Sequence, residues 1–313
     1  MKIRLSLGSA VHLGLRTAKM DAIPTTLYML MGDVCSGACQ FCAQARDSEA
    51  NRKYLSRIVW PEFLLDDVLS RLPTVANIGR ICIQTLNTPH LLPNLETVIQ
   101  QLHAASSLPI SVCMNPTSKA WLFRLRQAGV ERVGVGVDCA TEAIFREVKP
   151  GFVWKTYLRF VEDTVNVFGV GSVHLIAGLG ETDEALIRQF QRFSDMGCSI
   201  ALFAFTPVHG AKLKLPQPPV ARYRRLQLAR YLIVKGQATY DDIEFRDGQL
   251  HGIHVAPDIL ECAVASGTPF RTSGCPYCNR PLYNERPGGV MYNYAHALDA
   301  EACERVKNEL GIR

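Results

Sequence analysis

Between Cys35 and Cys42 the chain reads Cys-Ser-Gly-Ala-Cys-Gln-Phe-Cys, placing Cys35, Cys39 and Cys42 in a C-x3-C-x2-C spacing. Three thiols so close can wrap one compact metal site, and thiolate is the ligand that iron-sulfur centres select. Three ligands are one too few for a cubane. The fourth iron would keep an open position, the feature that separates a reactive metal centre from a closed structural one. A zinc knuckle or an electron-transfer cluster would want a fourth ligand nearby, yet the next cysteine is Cys82 and the next histidine is His90. Gly37 and Ala38 let the backbone turn tightly, and Phe41 adds an apolar shield beside the last ligand.

A second set lies far downstream. Cys275-Pro-Tyr-Cys278 presents two thiols from one turn, suited to zinc or to iron-sulfur, and twelve residues separate Cys262 from Cys275. His296 and Cys303 are candidate fourth ligands. With an iron site already indicated upstream, an auxiliary iron-sulfur centre is favoured over a zinc ribbon.

Elements able to position these residues alternate along the chain. Residues 1–25 read as a helical or loose lead-in containing Ala10 to Met20. The apolar run Thr26 to Met31 leads into the first cysteine loop, and Pro61 sits at an expected first helical position. Strand patterns follow at Arg80–Thr85, Ile110–Met114, Arg132–Asp138, Ser172–Leu179 and Ser199–Phe205, with helical patterns between them. Thr117 or Ser118, Thr141 and Thr182 read as helix caps. Such alternation predicts an α/β fold, parallel strands with crossover helices forming a full or partial (β/α) barrel over 26–207. Residues 208–313 would complete the barrel and carry the cysteine-containing extension, with helices over Ala221–Lys235 and Ala256–Ala265. A barrel's active site lies at the carboxyl ends of its strands. The cysteine loop falls there, together with Gln84, Thr85, Asn115, Asp138, Gly178 to Glu181, and Thr206. Asp138 is suited to a ribose hydroxyl, and Ile176, Gly178 and Gly180 would let backbone approach an adenine closely.

Composition fits a compact globular protein. The 313 residues are 48% hydrophobic and 20% charged, with no low-complexity tract and no apolar stretch of membrane-spanning length. Net charge +5 is mild and scattered apart from Arg222-Tyr-Arg-Arg225, which reads as a solvated helix face. That argues against nucleic acid and could steer an acidic protein or a nucleotide cofactor to the surface. Eleven cysteines, mostly in two clusters, indicate metal in a reducing compartment, hence a cytoplasmic location.

The first cysteine spacing, with an aromatic residue before the third cysteine and a strand before the first, resembles the radical S-adenosylmethionine (SAM) signature. The resemblance implies a [4Fe-4S] cluster that chelates SAM and cleaves it to a 5'-deoxyadenosyl radical. Ile176-Ala-Gly-Leu-Gly-Glu181 is similar to that family's adenine-contacting motif, so Phe41, Gln84, Asp138, Ile176, Gly178, Glu181 and Thr206 are implied around the cofactor. From Thr26 to Phe205 the segments resemble biotin synthase, with Cys82 and Cys113 on the second and third strands. Ser172 or a neighbour stands where that enzyme has a third barrel cysteine, so no internal cluster is implied, and Cys82 and Cys113 read as small buried hydrophobes. The block Cys-Pro-x-Cys-Asn-Arg-Pro-x-Tyr-Asn-Glu-Arg-Pro-Gly after Gly274 looks more like the two-component lipoyl synthases. That likeness implies a sulfurtransferase acting on an octanoylated lipoyl carrier protein, with a second synthase component and an electron donor such as ferredoxin as partners. It also implies an auxiliary [4Fe-4S] cluster on Cys262, Cys275 and Cys278, with Ser273 as a labile fourth ligand. Biotin synthase, another small-molecule radical SAM enzyme, and a non-catalytic electron-transfer or scaffold protein are the alternatives. Tyr283, Tyr292, Asn293 and Tyr294 are expected to pack the final loop rather than line a substrate entrance.

Overall fold

A computed structural model of the chain describes residues 1–281, 283, 285 and 288–311. The chain opens with β1 (Lys2–Leu5) and α1 (Leu7–His12), then β2 (Leu27–Met31), a small hairpin of β3 (Tyr54–Leu55) and β4 (Ile58–Val59), β5 (Glu62–Leu64) and α2 (Leu65–Leu69). The regular part runs β6 (Ile81–Thr85), α3 (Leu91–Ala105), β7 (Ile110–Cys113), α4 (Lys119–Gln127), β8 (Val130–Asp138), α5 (Glu142–Val148), α6 (Trp154–Phe168), β9 (Gly171–Ala177), α7 (Asp183–Asp195) and β10 (Cys198–Ala204). Then come α8 (Val220–Val234), a hairpin of β11 (Ile243–Arg246) and β12 (Gln249–Ile253), α9 (Pro257–Ala265) and α10 (Ala300–Leu310).

Strands β2 and β6 to β10 are parallel neighbours in that order, as the alternating pattern predicts. Antiparallel β1 extends the β2 edge and β5 pairs β1, giving an eight-stranded open sheet. Among the described residues the two edges do not pair, so the barrel is partial. The strand faces that carry Ile81, Ile83, Val112, Val133, Val135, Val173 and Leu175 are buried with helix residues such as Leu95, Val98, Leu122, Phe160 and Phe190 in one core. Each such side chain contributes about 1.5–3 kcal/mol on burial. Thr141 and Thr182 cap α5 and α7 through bonds from Ile144 N and Ala185 N, as their sequence positions predict, whereas the Ser118 side chain makes no capping bond.

Four local expectations are corrected. The first residues form a strand instead of a loose lead-in, because Lys2–Leu5 completes its ladder on both sides, with β2 and β5. For the same reason the segment after Pro61 is extended over Glu62–Leu64 before α2 begins. Helix α10 follows the last helix that the sequence pattern indicates. Arg222 to Arg225 is no solvated face: α8 packs on α7, β10 and α10, and buries Tyr223 and Arg224 completely. The Arg224 charge survives there because Nε meets Glu309 at 2.7 Å and Nη1 meets Gln227 Oε1 at 2.8 Å and the Tyr292 carbonyl at 2.7 Å. That arginine ties the carboxyl-terminal segment to the barrel wall.

Candidate functional site

The cysteine loop leaves β2 at the carboxyl edge of the sheet and is fixed by its neighbours. Ser36 N donates to the Asn87 carbonyl at 2.8 Å, Gln40 N to Val148 O at 2.8 Å, and Leu213 N to Gln40 O at 2.8 Å. Inside the loop Gly37 N and Gln44 N each approach a sulfur, of Cys35 and Cys42, at 3.4 Å. A side chain at Gly37 would meet the Phe152 ring at 3.1 Å, which accounts for the glycine. Burial pushes the Cys39 thiol up to about 12 and Cys42 up to about 11. As bare thiols they hold their protons, so a metal must displace them on binding. Backbone N–H groups already aimed at sulfur suit a thiolate-bound cluster.

A cavity of about 210 Å³ runs along the barrel axis below this loop. Phe41, Cys42, Gln84, Asp138, Ile176 and Thr206 line it. Asp138 sits in the left-handed region at φ 63° and is held by Lys149, whose Nζ donates to Asp138 Oδ2 at 2.8 Å and to the Gly136 carbonyl. Burial works against the Lys149 charge, but Asp138, Tyr157 and Cys39 together outweigh it and keep the ammonium above its ordinary range. The ammonium also lies 4.3 Å from the Tyr157 ring centre. Gln84 is engaged by a sulfur, its Nε2 lying 3.0 Å from Cys82 Sγ, and Thr206 Oγ1 donates to the Ala204 carbonyl at 3.1 Å.

Gly178 and Glu181 are joined within the loop after β9. The Glu181 carboxylate accepts from Gly178 N and Leu179 N, both at 2.8 Å, and pairs with Arg222 at 2.8 Å. Glu181 thus shapes the loop after β9 from beneath and is absent from the cavity lining.

Cys275 and Cys278 enter the same cavity from its other end, as does Tyr283. Cys262 does not join them: it is exposed on α9, outside the cavity lining. The expectation that it completes the auxiliary set is corrected, since α9 packs on the outer face of α8. Ser273 Oγ is also committed, accepting from Leu202 N at 3.0 Å. His296 is exposed, and Cys303 lies against the Ala265 carbonyl at 3.9 Å. Tyr292, Asn293 and Tyr294 are buried packing residues. Positions 282, 284, 286 and 287 of the carboxyl-terminal block lie outside the described residues. Among the described residues no three thiols, imidazoles or carboxylates converge on a point that would hold one metal ion.

Sequence reasoning missed Lys149, His174 and Arg280. Burial lowers the His174 pKa to about 4, keeping its ring neutral 3.7 Å from Cys113 Sγ. Only the alternation of β9 could have indicated that His174 faces inward.

The Radical SAM superfamily pattern matches residues 29–191, more than half of the chain. The chain belongs to the radical SAM superfamily. Solved structures similar to it include methylornithine synthase, 14% identical over 81% of this chain and 80% of that one, with TM-score 0.57. The FeFe-hydrogenase maturase HydG from Carboxydothermus hydrogenoformans is 13% identical over 77% of this chain and 65% of that one, with TM-score 0.53. Identities this low carry the fold alone. No curated protein matches the sequence. Radical SAM membership implies a [4Fe-4S] cluster and SAM. The loop fits that cluster: it offers three thiols from one turn, with backbone donors on two sulfurs. No helix among the described residues is long and apolar enough to cross a membrane.

Proposed function

We propose that this radical SAM protein is a sulfurtransferase, one component of a lipoyl synthase, that places sulfur on an aliphatic carbon of an octanoyl group carried on a lysine of a lipoyl carrier protein. One observation carries the reading: the SAM-type cysteine loop and the Cys275–Cys278 turn open into a single cavity from opposite ends. When bound, the loop cluster with SAM would supply a hydrogen-abstracting radical, and an auxiliary iron-sulfur cluster at the turn would supply sulfur. Cys35, Cys39 and Cys42 would hold the first.

The protein's own groups suit a fatty acyl chain. Leu55, Ile176, Phe203, Phe205 and Val208 give the cavity apolar walls that accept methylenes and exclude water from a reactive centre. Asp138, oriented by Lys149, would accept from a ribose hydroxyl of SAM. The mildly basic surface suits an acidic ferredoxin-type electron donor.

The test is incubation of the anaerobically reconstituted protein with SAM, dithionite, an octanoylated carrier domain and the candidate second component. The expected result is 5'-deoxyadenosine together with a carrier mass gain matching insertion of sulfur. Formation of 5'-deoxyadenosine with the carrier mass unchanged would refute the octanoyl assignment and favour a small-molecule substrate. Absence of 5'-deoxyadenosine under every condition would favour a passive electron carrier.

A further inference from the structure

The barrel contains a thiol site that the sequence pattern alone did not reveal. Cys82 on β6 and Cys113 on the adjacent β7 both line the axial cavity, Cys113 pairing in register with Gln84, two residues beyond Cys82. A third thiol reaches the cavity from the distant turn: Cys275 Sγ lies 3.5 Å from Ser172 Oγ on β9. Cys278 arrives on the opposite side, its sulfur 3.6 Å from the Tyr28 hydroxyl. Tyr28 is the register partner of Cys82 across β2 and β6. Four thiols from two strands and one distant turn therefore line a single cavity beneath the SAM-type loop.

The turn that delivers two of them is clamped at every step. Leu202 N donates to Ser273 Oγ at 3.0 Å, Arg80 Nε to the Pro276 carbonyl at 3.2 Å, and Thr25 and Thr26 to the Tyr277 carbonyl at 2.6 and 2.7 Å. The Tyr28 hydroxyl accepts from Asn279 N at 3.1 Å and Arg280 N at 2.8 Å. Tyr277 and Arg280 hold left-handed backbone angles, φ 64° and 35°, a conformation costing about 1–3 kcal/mol at each non-glycine residue. The turn held in this way lines the cavity with both sulfurs.

Charge points the same way. Arg280 lines the cavity, stacks on Phe203 at 3.7 Å and donates through Nη2 to the Ser273 carbonyl at 2.8 Å. Its Nε is buried without a hydrogen-bond partner. A cluster held by four thiolates carries net negative charge, which a buried guanidinium beside it would offset.

We propose that Cys82, Cys113, Cys275 and Cys278 together bind a [4Fe-4S] cluster inside the barrel, with Arg280 as its buried counter-charge. The assignment replaces Cys262 and Ser273 as ligands of the auxiliary centre. It rests on the reading of a second, sulfur-supplying cluster, yet its test counts iron and not product, so either can fail alone.

The experiment uses the full chain, reconstituted anaerobically with ferrous iron and sulfide and read by iron and sulfide analysis and Mössbauer spectroscopy. The native chain should hold about eight irons, and the C35A/C39A/C42A variant about four. Adding either C82A/C113A or C275A/C278A to that variant should remove the remaining iron, while adding C262A should leave it. In the otherwise native chain each pair should keep one cluster whose electron paramagnetic resonance signal still responds to SAM, reporting an intact barrel. Retention of about four irons after either pair is replaced, or their loss with C262A, overturns the proposal. Loss of both clusters when one pair is replaced in the native chain also overturns it, because those cysteines would then serve packing.

Discussion

Replacing Lys149 with methionine isolates the ion pair that positions Asp138. The Lys149 side chain is 2% exposed and that of Asp138 14%, so neither charge is well hydrated. Methionine keeps an apolar stem of similar length for the Tyr157, Phe145 and Phe152 rings but removes the ammonium. Asp138 loses its 2.8 Å partner and the Gly136 carbonyl loses its donor. Removing one member of a buried pair costs about 3–5 kcal/mol, within which an orphaned carbonyl accounts for about 1–3 kcal/mol. Asp138→Asn should also cost about 3–5 kcal/mol, because the buried Lys149 ammonium loses its counter-charge although it keeps the Gly136 carbonyl and the ring faces. The double variant removes both charges, so its cost should fall short of the sum of the two by about 0.5–3 kcal/mol. Urea unfolding of the iron-free chain, followed by circular dichroism, measures all three without ligand linkage. A Lys149→Met cost under about 1 kcal/mol, or strict additivity in the double variant, would refute the reasoning, since the pair would then be behaving as a solvated surface bridge.

Further expectations concern the cofactor end of the barrel. Cys42→Ala should lower iron by about four per chain and abolish 5'-deoxyadenosine formation, measured by iron analysis and chromatography. Glu181→Gln keeps the side-chain shape but weakens its bonds to Gly178 N, Leu179 N and Arg222; a loss of about 1–3 kcal/mol in urea unfolding and weaker SAM binding by calorimetry are expected. Gly178→Ala should also weaken SAM binding: φ is 105° there, and the new methyl would stand 3.1 Å from both Phe205 Cβ and Pro218 Cδ. Unchanged affinity in that variant would show that the loop after β9 does not contact the cofactor.

Local sequence was sufficient wherever the determining interactions are themselves local. The spacing of three cysteines within one short loop suggests a cluster site without reference to distant residues, and alternating buried strands with capped helices leave few topologies besides a parallel barrel. The six parallel strands, the Thr141 and Thr182 caps and the loop at the carboxyl edge were legible for that reason. Ligands and counter-charges far apart in the chain were not. Lys2–Leu5 is a strand only because β2 and β5 are there to pair it, and Arg224 can be buried only because Glu309 returns to meet it. The family likeness grouped Cys262 with Cys275 and Cys278, but on α9 it is exposed. The fold instead carries Cys275 to Ser172 and Cys278 to Tyr28, beside two strand cysteines that had looked like inert packing. Such proximity depends on where a loop docks after the barrel has formed. No pattern within a short window encodes it.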